Sequence, residues 1–212
     1  KGVGMTFNVG RPNKNPVAGV PVMHMVREVI TKSDTLDEAV NSFTDLLENN
    51  GTFSYMGGNI MVVDFKDGTM ARLQVCSSDI RVTYGQELKP GVTYLAFTNH
   101  FDDDFSPLSE EDKQTASNIS SFERYTRLME IIPQFEKYDV DTCWKILSDH
   151  GDGEPSNNTI SRKGSSAMTV FSNVFTADTS SYTIGVPSEY LAVYGKPQQL
   201  DNSQVIVPAI TG

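Results

Sequence analysis

Asn99 is the residue in this sequence that is best placed to take part in chemistry. It follows an apolar run typical of a β-strand, residues 92–98, which ends abruptly in this amide and in the imidazole of His100. A polar side chain at the tip of a buried strand is held by a rigid scaffold, and enzymes and binding proteins commonly carry site residues there. An asparagine amide can also donate hydrogen bonds to the oxygen of a polarised carbonyl group. We therefore take Asn99 as the first candidate site residue.

The candidate residues also have plainer structural interpretations. Asn99 can be a turn asparagine that closes a strand. Arg124, near the start of a helical pattern, can be a surface residue paired with Glu123 or Glu130. His100 belongs to the residue type that most often serves as a general base near neutral pH. The residue types alone leave these alternatives open.

Length and composition bound the classes of protein to consider. With 212 residues the chain can bury one substantial core, and we expect a single domain over residues 1–212. The formal net charge is −10 and no run of Lys and Arg occurs, which disfavours nucleic acid as a partner. The longest apolar runs, such as residues 60–63, are too short to span a membrane. Nothing in the sequence identifies the cellular compartment.

No metal site and no cofactor are predicted. The two cysteines, Cys76 and Cys143, lack a CxxC spacing, and the three histidines, at positions 24, 100 and 150, show no ligand pattern. The acidic run 102–104 lacks the regular spacing and the glycine of a calcium loop, so a solvated turn is favoured over a calcium site. Cys76 ends a strand and Cys143 lies on a helix face beside Trp144, which favours packing roles for both cysteines.

The first part of the chain predicts a strand and two helices. Pro21 suits the first turn of one helix, and Thr35 with Glu38 fits a capping box for the next. Apolar residues at helical spacing follow both starts, so the two helices should cover one face of a sheet. The predicted spans are a strand at 1–9, a loop at 10–16, and helices that end near 31–33 and at 49–51.

The middle of the chain predicts a largely antiparallel sheet. Asp67 and Gly68 give a strong hairpin signal between two strand-like runs, and two more runs continue the sheet. We expect the last run to be an interior strand that presents Asn99 at its end. The four predicted strands are 59–65, 70–76, 80–84 and 92–98.

Helices return in the second half of the chain. The pattern is helical from 120 to 135, and Asp141 can cap a further helix. After a polar loop, strands are predicted at 166–175 and 181–186, with a short one at 190–193. Strands and helices that segregate into runs favour an α+β fold. A layered αββα sandwich, with two antiparallel sheets facing each other and helices outside, accommodates this order.

Several segments, in the right order, resemble one enzyme family. Residues 1–10, KGVGMTFNVG, are similar to a segment of acyl-CoA:6-aminopenicillanic acid acyltransferases and of the related choloylglycine hydrolases. Residues 97–101, FTNHF, resemble the strand end "TNH" of the former, and residues 121–125, SFERY, resemble a helix start in both. Residues 19–21, GVP, and 58–64, GNIMVVD, follow the family pattern between them.

The resemblance implies an N-terminal-nucleophile (Ntn) hydrolase with the four-layer αββα sandwich. In these enzymes a cysteine exposed by removal of its preceding residues attacks an amide, and its own α-amino group is the base. A free α-amine titrates at about pH 7.7–8, so it can accept a proton near neutrality and no histidine is needed. By resemblance, Asn8 corresponds to an asparagine of the oxyanion hole and Asn99 to the asparagine beside the nucleophile. Arg124 corresponds to the arginine that holds the charge network of the site.

The nucleophile of the family does not fall within this sequence. The family cysteine, with the arginine and aspartate just after it, lies upstream of Lys1, and neither Cys76 nor Cys143 can replace it by being N-terminal. The resemblance therefore implies the larger, C-terminal part of the enzyme, with the N-terminal strands of its sandwich missing and with no activity alone. An open strand-lined face would expose a large apolar patch. We expect the N-terminal segment of the same precursor, or a second copy of the chain in a homo-oligomer, to cover it.

The expected function is hydrolysis or acyl transfer at a linear amide C–N bond of a small molecule. The alternative is a non-catalytic binding or scaffold protein that keeps the sandwich. Carbohydrate binding on a β-sandwich is disfavoured by the two helix pairs. The sequence upstream of Lys1 distinguishes the first two, because a cysteine that opens a strand there would favour the enzyme.

Overall fold

A computed structural model describes residues 2–10, 19–50, 53–54, 57–77, 79–165, 167–184 and 198–201. The chain forms two compact units, residues 1–125 and 126–212, and the boundary falls within one helix, after Tyr125. The expectation of a single domain over residues 1–212 stays a prediction.

The described residues form strands and helices in separate runs along the chain. In order, the elements are β1 (Val3–Gly10), β2 (Val20–Pro21), α1 (Val22–Lys32), α2 (Leu36–Asn50), β3 (Phe53–Ser54), β4 (Gly57–Asp64), β5 (Met70–Cys76), β6 (Asp79–Tyr84), β7 (Gln86–Lys89), β8 (Val92–Tyr94), α3 (Glu110–Lys113), α4 (Ala116–Ile131), a 3-10 turn (Ile132–Gln134), α5 (Val140–Leu147), β9 (Phe171–Phe175), β10 (Thr179–Ile184) and β11 (Gln198–Asp201).

The first unit is built on a four-stranded antiparallel sheet with the order β1-β4-β5-β6. β4 and β5 form the predicted hairpin, and Gly68 in its turn has a φ of 75°, a conformation that favours glycine. The bounds of β5 agree with the sequence prediction, while β1, β4 and β6 differ from it only at their ends. The hairpin signal and the alternation of these runs were therefore sufficient to predict the central sheet.

Helices α1 and α2 pack on one face of this sheet, as predicted. Val22, Met25 and Val29 are the buried residues of α1, and their spacing places them on one side of a helix. Phe43 of α2 is fully buried, and truncating such a side chain to alanine typically costs about 3–5 kcal/mol. The buried core consists of Val22, Met25, Val29, Leu36, Ala39, Val40, Phe43, Ile60, Val62, Ala71, Leu73 and Val75.

Strand β5 is buried on both faces. Ala71, Leu73 and Val75 pack in the helix-side core. Arg72 and Gln74 alternate with them and therefore point to the opposite face, where they are 7% and 0% exposed. A buried charge is tolerated only when it is paired and hydrogen-bonded. The segment that covers this face must therefore supply partners for Arg72.

The prediction of an interior strand over residues 92–98 is wrong. β8 ends at Tyr94, and in the described part of the chain it pairs with β7 alone, in a sheet of two strands. Farther along, side-chain amides bind the main chain of Thr98. Thr98 O accepts from the Nδ2 atoms of Asn8 and Asn59. Asn99 therefore ends an irregular extended segment and not a strand.

The second unit contains α5 and the antiparallel sheet β11-β10-β9. β9 begins later than predicted because the preceding residues fold back. Arg162 N donates to Thr169 Oγ1 at 3.0 Å, and Thr169 N donates to Arg162 O at 2.9 Å. Trp144 of α5 donates from Nε1 to Ser181 of β10 at 3.2 Å. The predicted strand at 190–193 and most of the predicted loop at 10–16 lie outside the described residues.

The two predicted helix caps differ in outcome. Thr35 Oγ1 accepts from Glu38 N at 3.2 Å, as the capping box requires. The predicted cap Asp141 is wrong, because the N-cap of α5 is Asp139, whose Oδ1 accepts from Thr142 N at 2.9 Å. Asp141 lies inside the first turn of this helix.

Separate runs of helices and antiparallel strands make this an α+β fold, as predicted. Among the described helices, none is both long enough and apolar enough to cross a membrane.

Candidate active site

Two reciprocal amide hydrogen bonds join the end of β1 to residues 98–99. Asn8 Nδ2 donates to Thr98 O at 3.4 Å, and Asn99 Nδ2 donates to Val9 O at 2.8 Å. Both side chains are partly buried. The structure therefore brings together two of the three predicted site residues, although they are far apart in the sequence.

Arg124, the third predicted residue, contacts Asn99 directly. Its Nη2 donates to Asn99 Oδ1 at 2.9 Å, and its Nε donates to Ser120 Oγ one turn earlier in α4 at 3.4 Å. A guanidinium group can only donate, so its partner must be the amide oxygen of Asn99. The amide nitrogen is thereby turned toward β1, where it meets Val9 O. Neither Glu123 nor Glu130 is needed to explain the position of Arg124.

Ser121 holds the main chain of Asn99. Its buried Oγ accepts from Asn99 N at 2.8 Å, and it lies 2.8 Å from Thr98 Oγ1 and 2.9 Å from His100 Nδ1. Thr98 Oγ1 donates to the carbonyl of Ser121 at 2.8 Å, which uses the threonine proton. The serine proton must then lie in the contact with Thr98 Oγ1, so His100 Nδ1 donates to Ser121 Oγ. Placing the imidazole proton on Nδ1 gives each of these contacts one hydrogen.

His100 is neutral at neutral pH. Burial of the ring lowers the pKa of His100 from its usual 6.5 to about 4; Arg72 and Arg124 act in the same direction and Asp102 opposes them. The ring packs against Phe122 with centroids 4.3 Å apart. A group with this pKa is a poor proton acceptor at pH 7, so the catalytic-base interpretation of His100 is disfavoured.

A buried pair, Asn59 and Arg72, lies beneath the Asn99 segment. Arg72 donates from Nε and Nη2 to Asn59 Oδ1 at 2.9 and 2.7 Å. Asn59 Nδ2 in turn lies 3.3 Å from Thr98 O and 3.0 Å from His100 O. One amide group thus contacts both carbonyls that flank Asn99.

Two glycines let this segment lie close to the sheet. A β-carbon on Gly57 would lie 2.3 Å from Val75 O and 2.8 Å from the Phe101 ring. A β-carbon on Gly10 would lie 2.5 Å from the same ring. Phe101 is only 3% exposed, so it has no room to withdraw. A larger residue at either glycine would displace Phe101 and, with it, residues 98–100.

The acidic run 102–104 is neutralised by bases from other elements. The ion pairs are Asp102 with Arg72, Asp103 with Lys113, and Asp104 with Arg81. Among the described residues, no group of three or more His, Cys, Asp or Glu side chains is arranged to hold a metal ion. The run is therefore an ion-paired turn, in which Arg72 is the most buried of the three bases.

An open groove of about 390 Å³ lies beside this cluster. Phe122 lines it and also contacts the ring of His100, the residue next to Asn99. The lining residues are Asp103, Lys113, Gln114, Ile119, Phe122 and Glu123.

A family model described as acyl-coenzyme A:6-aminopenicillanic acid acyl-transferase matches residues 1–189. The chain belongs to this family. A search of the curated proteins and a search of the solved structures each find no significant match. The matched range includes Asn8, Asn99 and Arg124. Membership of this acyl-transferase family indicates an enzyme that transfers acyl groups or hydrolyses amides.

Neither cysteine of this acyl-transferase family member has the surroundings of a nucleophile. Cys76, at the end of β5, is fully buried. Cys143 is half-buried in α5, and burial raises the pKa of its thiol. A reactive cysteine needs access and a lowered pKa, because the thiolate is the nucleophile. Both free thiols therefore fit the predicted packing roles.

Asn59, Arg72 and Ser121 belong to the site but were not predicted from the sequence. The alternation of β5 correctly places Arg72 on the face away from the helices, but such a position usually faces solvent. Asn59 and Ser121 lie inside the segments that resemble the family, which was the one available signal for them. Their contacts with residues 98–100 are long-range, and no local pattern encodes them.

Proposed function

We propose that this chain carries the oxyanion-binding part of an Ntn-type amide hydrolase or acyltransferase. The observation that supports the proposal most is the hydrogen-bonded cluster of Asn8, Asn99 and Arg124 at the end of β1. The nucleophile is a cysteine at the N terminus of a segment that precedes Lys1 in the gene product. The shielded positions of Cys76 and Cys143 support this assignment.

The first half of the proposed reaction forms an acyl-enzyme. The α-amine of the upstream cysteine takes the thiol proton, and the thiolate sulfur bonds to the carbonyl carbon of the substrate amide. The carbonyl electron pair moves to the oxygen, which accepts hydrogen bonds from the amide groups of Asn8 and Asn99. The tetrahedral adduct collapses, the C–N bond breaks, and the leaving amine takes the proton from the α-ammonium group. The product is a thioester on the cysteine.

The second half transfers the acyl group. Water or an amine loses a proton to the α-amine and attacks the thioester carbonyl, the same amide groups stabilise the oxyanion, and the thiolate leaves and is reprotonated. Water gives hydrolysis and an amine gives acyl transfer. Within the described part of the chain, Asn99 Nδ2 donates to Val9 O, so the second hydrogen of that amide can serve the substrate.

Arg124 acts in this proposal through Asn99. Its bond to Oδ1 presents the donor end of the amide and polarises it, since a charged donor strengthens the dipole of its partner. A positive guanidinium close to the developing oxyanion also lowers the energy of the transition state.

The proposed architecture is the four-layer αββα sandwich of Ntn hydrolases. Within the described residues β1 is the outer strand of its sheet, so its free edge can pair with one more strand. The upstream segment that carries the cysteine would add this strand and lie beside Val9 and Asn99. The groove lined by Ile119 and Phe122 would receive one arm of a small amide substrate.

Mass spectrometry of the full-length gene product tests this function. The protein is incubated with an acyl p-nitroanilide, a chromogenic linear amide, and release of p-nitroaniline is followed while the acylated peptide is mapped. We expect amine release and an acyl group on a peptide that begins with the upstream cysteine. Acylation of Cys76 or Cys143, or amine release that persists when the upstream cysteine is alanine, would refute the assignment of the nucleophile.

A further inference from the structure

We propose that Asn59 and Arg72 are positioning residues for Asn99, a buried amide and guanidinium pair that fixes the main-chain carbonyls on either side of it. The inference rests on the proposed function, because it assigns these residues to the oxyanion site. Neither side chain contacts the substrate-facing amide of Asn99. Their effect passes through Thr98 O and His100 O.

The side-chain amide of Asn59 is held in a single orientation. It is fully buried on β4. Its oxygen receives two N–H groups of Arg72, and its nitrogen faces Thr98 O at 3.3 Å and His100 O at 3.0 Å. The guanidinium can only donate, so it forces the nitrogen of Asn59 to the side of the two carbonyls.

The guanidinium group of Arg72 also contacts residues other than Asn59. Nη1 donates to Asp102 Oδ1 at 2.8 Å, and Nη2 lies 3.3 Å from His100 O. The hydrogen-bond partners of Gln74, the next residue on this face, require its amide nitrogen to face Asp102 Oδ2 at 2.9 Å. The ring of Phe97 lies 5.4 Å from the guanidinium carbon. The pair therefore links two central strands to the chain on both sides of Asn99.

Stability alone does not explain why the guanidinium group of Arg72 is buried. A buried charge is costly to desolvate, and apolar residues of similar volume in its place are often as stable or more stable. A turn on an antiparallel sheet can be packed without a cation. The network does fix one thing that an apolar contact cannot, namely the direction of the Thr98–Asn99 peptide group, which adjoins Asn99, and of the His100–Phe101 peptide group, one residue farther on.

Asn59→Asp separates positioning from packing. It preserves the size of the side chain and the acceptors for Arg72, but it replaces the donor that reaches Thr98 O and His100 O with an oxygen that repels them. Arg72→Lys is a second variant, which keeps the charge and loses the bidentate bond to Asn59. Arg81→Gln is the matched control, because it breaks the exposed ion pair of Asp104 on the same turn without touching the two carbonyls.

Kinetics and hydrogen exchange on the folded full-length gene product test the proposal. With an acyl p-nitroanilide, we expect kcat to fall by 10-fold or more in both pair variants, since a misplacement of about 1 Å can cost on the order of 10²-fold, with KM nearly unchanged. Amide exchange in peptides that cover residues 97–101 should accelerate in the same variants. Arg81→Gln should match the wild type in both measurements.

The outcomes distinguish this inference from the proposed function. If Asn59→Asp and Arg72→Lys fold and keep either the wild-type kcat or the wild-type exchange at residues 97–101, the positioning role is overturned. If the wild type cleaves no amide, the proposed function fails, and exchange at residues 97–101 alone decides whether the pair fixes the Asn99 segment. Should Asn59→Asp not fold, Arg72→Lys carries the same test.

Discussion

Arg124 Nη2 donates to Asn99 Oδ1 at 2.9 Å, across a sequence separation of 25 residues. Because a guanidinium has no acceptor, this bond determines which end of the Asn99 amide faces β1. The exposed donor end is the feature on which the proposed oxyanion role depends. The helix α4 and the irregular segment after β8 are thereby coupled through one polar contact.

Removing Arg124 should impair catalysis more than stability. In Arg124→Gln the side chain can no longer impose one orientation on the amide of Asn99, and we expect kcat to fall by roughly 10–10²-fold. Arg127→Gln is a matched control one turn later in α4, where Arg127 makes a bidentate ion pair with Asp149 at 2.8 Å. The control should lower the melting temperature and leave kcat intact. Equal kcat values in Arg124→Gln and Arg127→Gln would show that Arg124 has no role in catalysis.

Acidification should destabilise the protein through His100. Burial lowers the pKa of His100 to about 4 in the folded protein, whereas the unfolded chain titrates near 6.5. As the pH falls below 6.5, the unfolded state binds the proton first, so the free energy of unfolding decreases until about pH 4. Above pH 6.5 this histidine contributes no pH dependence. The full effect is on the order of 1–3 kcal/mol after allowance for the partial exposure of the ring.

Urea unfolding between pH 7.5 and pH 4.5 measures this contribution. His100→Gln keeps a hydrogen-bonding amide beside Ser121 and should flatten the pH dependence over this window. His24→Gln, at an exposed position in α1, should retain the wild-type dependence. A His100→Gln profile that runs parallel to the wild type would show that His100 is not buried as a neutral ring.

Replacing either cysteine should lower the stability of the protein and leave kcat unchanged, which is the opposite of the effect expected for the site residues. Replacing Cys76 by Ala leaves a small void in a fully buried position and should lower the free energy of unfolding by about 1 kcal/mol or more. Cys143→Ala should behave similarly but more weakly, since Cys143 is only half-buried. Both variants of the full-length gene product should keep the wild-type kcat. A folded but inactive Cys76 or Cys143 variant would indicate that this cysteine is the nucleophile and would contradict the upstream assignment.

The parts of the fold that were predictable are encoded locally. Helices α1 and α2 follow from apolar spacing, and the β4–β5 hairpin follows from Asp67 and Gly68. The apolar run 92–98 was misleading because hydrophobic residues do not reveal what pairs with their backbone. The carbonyl of Thr98 takes side-chain partners from β1 and β4 in place of a neighbouring strand. The shift of the α5 cap from Asp141 to Asp139 is a choice between two aspartates that composition cannot make.

The candidate site shows the same division. Asn99 was the first candidate because it follows an apolar run, and Asn8 and Arg124 were identified because the segments around them resemble a family. The structure brings the three residues together. Asn59 and Arg72 were missed because their importance lies in the direction of hydrogen bonds between strands and a distant segment. A charged residue in an alternating strand normally indicates a solvent-facing side chain. In the structure this face is covered, and Arg72 is 7% exposed.

The most direct test of the proposed oxyanion role is to measure kcat for Asn99 variants of the full-length gene product. Asn99→Ala removes the donor and the contact to Arg124, whereas Asn99→Asp keeps an acceptor for Arg124 but replaces the donor with a negatively charged oxygen. Loss of one such donor typically costs 10²–10³ in kcat, and we predict a fall of about this size in both variants, with a melting temperature close to that of the wild type. Folded Asn99→Ala and Asn99→Asp proteins that cleave an acyl p-nitroanilide at the wild-type rate would contradict the role proposed for Asn99.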